Sequence, residues 1–212
     1  MRSFEFTRKW VGEGFERCPY LNENLEFEKQ YPEAKLPEYA TLKSAGADFF
    51  CAKEVTIPSI WGTVASSLIV GEDKVSLINI ISHNLSMQKD GELKQNIMKK
   101  ESQRFAPTLV HTGIKARMED DEVLELYNRS SNPSKLGLVL ANSVGVVDAD
   151  YYENPDNDGE IMFAFYNFMP WSVTLKVGDK LGQGVFKKFL RPTEGLVIND
   201  TTRTGGFGST NK

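Results

Sequence analysis

Two histidines and two cysteines among 212 residues are too few for a histidine-built metal centre, a zinc site or a disulfide framework. Cys18 and Cys51 read as reduced thiols of a cytoplasmic protein. No apolar run approaches the length of a membrane span, and Met1-Arg2-Ser3-Phe4 lacks the apolar core of a signal peptide. Lysine and arginine form no block and the net charge is -4, which speaks against a non-specific nucleic-acid binder. A small anion gripped by a few local cations stays open. What is present in quantity is core material. A 40% hydrophobic content with 13 Phe excludes wholesale disorder and fits one domain with sizeable additions.

The second half reads as short strands broken by turns. Leu124-Glu125-Leu126-Tyr127, Gly137-Leu138-Val139-Leu140, Ile161 to Tyr166 and Val173-Thr174-Leu175 have β-type composition, with Asn-Pro, Gly-Asp and Asn-Asp-Gly turn signals between them. This spacing predicts a sandwich or barrel, and no internal repeat interrupts it. Two stretches read as additions to one domain spanning 1–212. Residues 8–36 form a polar, aromatic, loop-rich extension. Residues 59–105 form a mixed hairpin and helix insertion, with apolar runs at 65–70 and 75–81 and a helix from Asp90 to about Gln103. Plain surface elaboration is the simpler reading of this insert; a partner-binding surface is the sharper one.

Five segments carry chemistry. Arg203-Thr204-Gly205-Gly206-Phe207-Gly208-Ser209-Thr210 combines a cationic fork, three glycines that bring backbone N–H groups close to an anion, two hydroxyls and a flat apolar ring. It has neither the lysine nor the following helix of a Walker loop, so it reads as a mobile arm over about 200–212, a flap closing on phosphate or a floppy terminus. Asn142 to Tyr151 places Asp148 among valines, where desolvation raises a carboxylate toward a useful base. In the same run Asn142 can read a pyrimidine edge, and Tyr151 offers a ring to a sugar. A half-buried strand with two solvent-facing acids explains this run equally well. Tyr127-Asn128-Arg129-Ser130-Ser131 offers a phosphate clamp or an ordinary turn. Gly178-Asp179-Lys180-Leu181-Gly182-Gln183 enters a strand, and Gln183 can reach a phosphate. Ser44-Ala45-Gly46-Ala47-Asp48 ends on an acid that holds a water, orients the clamp or merely sits in a turn.

Taken in this order, the five segments resemble the five motifs of the trimeric dUTPases, over roughly 37–58 and 107–210. The extended hairpin expected over Tyr151 to Glu160 looks like the version found in some Gram-positive bacteria and their phages. The resemblance implies an all-β, jelly-roll-like β-barrel assembled as a homotrimer, with sites at subunit interfaces. It implies hydrolysis of dUTP to dUMP and pyrophosphate in the cytoplasm (the host's, for a phage protein), with Mg²⁺ held by the substrate phosphates and no direct protein ligand. Asp148 would then be the general base, and Asn142 with the Asn142 to Val147 hairpin, Gly145 and Val147 included, would read uracil. Tyr151 would lie under the deoxyribose. Arg129, Ser130, Ser131 and Gln183 would hold phosphates, and Asp48 would act through a metal-bound water or by orienting Arg129. Arg203, Gly208, Ser209 and Thr210 would cover the β- and γ-phosphates while Phe207 stacks on uracil. Two alternatives remain: a dCTP deaminase of the same fold, and a phage regulatory protein that engages its partner through 59–105.

Overall fold

The computed structural model describes residues 1–10, 27–68 and 105–195. Their strands, all paired antiparallel, are β1 (Ser3–Phe6), β2 (Arg8–Trp10), β3 (Phe27–Lys29), β4 (Glu38–Tyr39), β5 (Ala47–Phe50), β6 (Val55–Ile57), β7 (Thr108–His111), β8 (Ile114–Arg117) and β9 (Glu122–Asn128). Then follow β10 (Leu138–Leu140), β11 (Val144–Asp148), β12 (Met162–Asn167), β13 (Val173–Leu175) and β14 (Lys180–Lys188). One helix, α1 (Ile60–Leu68), leaves the sheets.

A five-stranded sheet in the order β11-β9-β14-β5-β4 faces a three-stranded sheet β10-β12-β7, and the pairs β1–β8, β6–β13 and β2–β3 complete the β structure. The core lies between the two larger sheets. Phe49, Leu124, Leu126, Val147 and Leu181 come from one side, and Val110, Leu138, Leu140, Phe163 and Phe165 from the other. The mainly-β, jelly-roll expectation holds, and the four predicted strand segments coincide with β9, β10, β12 and β13. The ladders among the described residues do not close into one continuous barrel.

Strand β14 shows how composition sets the packing. Its residues alternate between the two faces of the sheet, so Gly182 and Gly184 point inward. A Cβ on Gly182 would stand 2.1 Å from Phe163 Cε1 and 2.6 Å from the Tyr127 carbonyl oxygen, and one on Gly184 2.6 Å from Phe49 Cε2. The missing side chains are what let Phe49 and Phe163 pack at 5.6 Å between ring centres.

The additions differ in part from expectation. The 8–36 extension is not purely loop, since β2 and β3 pair at its two ends, Arg8 opposite Lys29. The apolar run beginning at Ala65 opens as helix, because Ala65 to Leu68 belong to α1. Buried Ser59 caps this helix: its Oγ accepts from the Trp61 and Gly62 N–H groups and donates to the Met169 carbonyl at 2.6 Å. Residues 69–104, with the expected 75–81 run and the Asp90 to Gln103 helix, lie outside the described residues, as does Cys18. Cys51 is a buried free thiol. No described helix is long and apolar enough to cross a membrane.

Gly182→Ala should overpack the Phe163 contact and destabilise the fold by about 1–3 kcal/mol. Thermal or denaturant unfolding would register the loss, and an unchanged midpoint would contradict this account of β14.

Candidate active site

The site starts from one buried acid. Asp48 is the second residue of β5 and is 3% exposed. It is not a turn residue, so its carboxylate must be compensated inside the fold. Lys180 Nζ donates to Oδ2 at 2.6 Å, Gln183 Nε2 donates to Oδ1 at 3.2 Å, and Arg129 Nε stands 3.7 Å from Oδ1. Burial alone would push this carboxyl up. The hydrogen bonds from Lys180 and Gln183 and the charges of Lys180 and Arg129 outweigh burial and hold it below its ordinary value of 3.8.

Lys180 and Gln183 are three apart, a spacing that puts side chains on opposite faces of a regular strand. The register of β14 against β5 shifts between Lys180 and Gly182. This bulge supplies the extra residue that brings both side chains to Asp48. Sequence reasoning placed Gln183 but missed Lys180. The available signal was a cation opening the same strand that carries Gln183.

Arg129 follows β9, and the turn behind it is pinned rather than loose. Buried Asn132 donates to Asn128 Oδ1 at 2.8 Å and to the Leu181 carbonyl at 2.6 Å, tying the turn to β14. A single π-helical turn, Asn132–Leu136, ends at Gly137, whose φ of 62° is one that a non-glycine residue rarely adopts. Ser130 is exposed and Ser131 half-buried beside Arg129, and both of their carbonyls accept from Ser134 Oγ. A cationic, hydroxyl-bearing rim therefore surrounds Asp48.

Asn142 to Val147 is not a hydrogen-bonded hairpin. Strand β10 pairs with β12 and β11 with β9, so the chain crosses between sheets through a tight turn in which Ser143 takes φ 56°. Asn142 is exposed there. Among the described residues β11 is the edge of its sheet, and an edge strand's outer row of N–H and C=O groups can pair with a base. Gly145 is buried, and a Cβ on it would stand 3.0 Å from Leu126 Cβ. Val147 is buried while Val146, on the face that Asp148 shares, is exposed, and Asp148 at the strand end is half-buried. Tyr151 sits in the short turn Ala149–Tyr151, 7% exposed and packed into the core, with its hydroxyl donating to the Glu160 carbonyl at 3.0 Å.

Two groups of site residues are thus formed, and one chain does not bring them together. Val144, Tyr127, Gln183 and Asp48 lie in one row across the sheet, and Arg129 is just beyond that row. Asp148 stands opposite Val123, six positions before Arg129, a separation of roughly 20 Å at about 3.4 Å per residue. Arg203, Phe207, Gly208, Ser209 and Thr210 lie outside the described residues.

The donor set suits phosphate rather than a bare cation. No cluster of three or more His, Cys, Asp or Glu among the described residues is placed to hold a metal ion, and Asp48 turns its oxygens to cations and an amide. A metal ion carried on a polyphosphate fits this arrangement.

Asp48 contributes stability that is present above the ordinary carboxyl value of 3.8 and is lost as pH falls through its lowered folded value. Asp48→Asn should therefore unfold more easily at neutral pH and show a shallower loss of stability on acidification. Parallel acid-dependent slopes in the two proteins would contradict the cluster.

A sequence profile described as dUTPase matches residues 93–211, a span that begins after Asp48. A deoxyuridine 5′-triphosphate nucleotidohydrolase of Lactococcus lactis subsp. lactis is 50% identical over 113 residues, 52% of this chain and 75% of the relative. Another, from Wolinella succinogenes, is 26% identical over 187 residues, 87% of this chain and 91% of the relative. The crystal structure of a dUTPase from Streptococcus mutans superposes with a TM-score of 0.52 at 34% identity, covering 75% of this chain and 89% of that one. With half of the chain inside the profile and a relative half identical over most of its own length, the chain belongs to the dUTPase family.

Proposed function

We propose that the protein hydrolyses dUTP to dUMP and pyrophosphate at sites shared between copies of the chain. The carrying observation is the division of the site: a phosphate clamp built on Asp48 at one end of β9, and a carboxylate, Asp148, at the other. A site needing both groups within reach of one nucleotide takes them from two copies. The outward face of the β10-β12-β7 sheet supports association, since Leu109, Val139, Met162, Ala164 and Tyr166 lie on it. A closed homotrimer, the assembly that the motif resemblance implies, brings one chain's clamp to the next chain's carboxylate.

In this reading the substrate is Mg²⁺-dUTP, with the ion on the triphosphate and any protein contact made through water. Mg²⁺ neutralises phosphate charge when bound. Arg129, with the Ser130 and Ser131 hydroxyls and Gln183, positions the phosphates, and Asp48 holds Arg129, Gln183 and Lys180 in place. Asp148 takes a proton from a water as its oxygen attacks the α-phosphorus. The bond from that phosphorus to the bridging oxygen breaks, and pyrophosphate leaves. Such a reaction asks mainly for positioning and charge stabilisation. The open edge of β11 and Asn142 read the uracil edge, and Tyr151 underlies the deoxyribose. The arm from Arg203 to Thr210 closes over the bound phosphates, with Phe207 on the base.

Product analysis with Mg²⁺ and dUTP, dCTP, dTTP or UTP in separate incubations tests this reading. Pyrophosphate and dUMP from dUTP alone are expected. Ammonia from dCTP would favour the same-fold deaminase instead. Asp148→Asn should lower turnover by about 10²- to 10⁴-fold, the usual worth of a positioned base, with dUTP affinity nearly intact; strong loss of binding would contradict the base role. Truncation before Arg203 should cripple turnover while leaving the folded oligomer, and full activity of the truncated protein would remove the arm from the mechanism.

A further inference from the structure

The segment after Tyr151 is built more tightly than a connection between strands requires. Between Tyr152 and Gly159 the backbone takes positive φ at Glu153 (54°), Asp158 (57°) and Gly159 (79°). A Cβ at Gly159 would lie 2.7 Å from the Tyr151 carbonyl oxygen. Two asparagines organise the inside of this loop. Asn154 Nδ2 donates to the Tyr151 carbonyl at 2.9 Å and to Asn157 Oδ1 at 2.8 Å, and Asn157 Oδ1 also accepts the Gly159 N–H at 3.2 Å. With its oxygen so occupied, Asn157 directs its amide nitrogen to the Tyr151 hydroxyl at 2.8 Å. The phenol is thereby held at two points, since it also donates to the Glu160 carbonyl. Glu160 is fixed in turn, as its buried side chain accepts from the Gly113 N–H at 3.1 Å. Outside, Arg8 of β2 and the fully buried Lys115 of β8 neutralise Glu153 and Asp158 and lock the loop to the sheet.

We propose that Asn157 is a positioning residue for sugar discrimination: its amide fixes the Tyr151 phenol and thereby the height of the ring on which the nucleotide sugar rests. The inference rests on the reading that Tyr151 underlies the deoxyribose. Steric rejection of a 2′-hydroxyl is only as strong as the wall is stiff. A ring that can withdraw by a fraction of an ångström admits the larger sugar, and specificity is lost as a difference of affinities. The Tyr151 backbone is held by the core; its tip is held by Asn157 and Glu160.

Asn157→Asp is the informative substitution, because it keeps the oxygen that accepts from Gly159 and Asn154 and removes the donor to the phenol. The ratio of kcat/KM for dUTP to that for UTP should fall about tenfold, the scale of one neutral hydrogen bond, through a lower KM for UTP with dUTP turnover barely changed. Tyr151→Phe, which removes the phenol's bonds to both Asn157 and Glu160, should lower the ratio at least as far, and the double variant should go no further than Tyr151→Phe, since the Asn157 amide acts on the ring only through the phenol. An unchanged ratio in folded Asn157→Asp, or additive losses in the double variant, would overturn the proposal. Should Asn157→Asp fail to fold, Asn157→Ala decides in the same way, since it too removes the donor to the phenol and leaves the Tyr151 bond to Glu160. Tyr151→Ala separates the two layers: if it leaves rejection of UTP intact, the sugar reading itself fails. If it relaxes rejection while Asn157→Asp does not, only the role of Asn157 falls.

Discussion

Burial of the Asp48 carboxylate is the constraint from which the phosphate-binding half of the site follows. An ionised acid inside a fold is costly unless its oxygens are matched by donors and positive charge. Here the match comes from Arg129 after β9 and from Lys180 and Gln183 on β14, so one side chain disciplines two elements beyond its own strand. The β14 bulge is the backbone's response, placing two residues of odd spacing on one face. Gly182 and Gly184, on the opposite face, let the aromatic core come up beneath. A clamp held this way is organised before any phosphate arrives, which spares the ordering cost that a loose clamp would incur on binding.

The second half of the site obeys a different logic. Asp148 and Tyr151 are mounted at the far end of β11 and braced by the loop to Glu160. That loop is held by ion pairs, half-exposed ones to Arg8 of β2 and others to the buried Lys115 of β8. Lys115 is 1% exposed, so removing both of its acidic partners, Glu153 and Asp158, would leave an uncompensated charge, a far larger penalty than loss of a surface pair. The two halves share the β9–β11 ladder yet stand at its opposite ends. Self-association is therefore part of the proposed chemistry and not an accessory to it.

Much of this was legible in the residues. Strands β9, β10, β12 and β13 announce themselves by composition and turn chemistry, and Asp48, Arg129 and Gln183 stand out in the segments that carry them. What was not legible depends on registers and long-range contacts. The bulge that recruits Lys180 leaves no mark on local composition. The passage of Asn142 to Val147 between sheets, where the motif resemblance implies a hairpin, is set by the pairing of its flanking strands with β12 and β9. Helix α1 is hard to read because its last residues, Ala65 to Leu68, are part of a short apolar run that periodicity alone cannot assign to strand or helix. Lys115 and Asn157 were unremarkable as letters, because their roles come from partners 38 and 6 residues away.

Subunit mixing tests the central claim most directly. Arg129→Ala and Asp148→Asn, each inactive alone, are unfolded together in equal amounts and refolded, and dUTP hydrolysis is measured. Sites that take the clamp from one copy and the carboxylate from its neighbour should recover about a quarter of wild-type activity in a randomly mixed closed ring. If the mixture stays as inactive as its components while mixed oligomers form, the two halves act within one chain, and the proposed shared site is wrong.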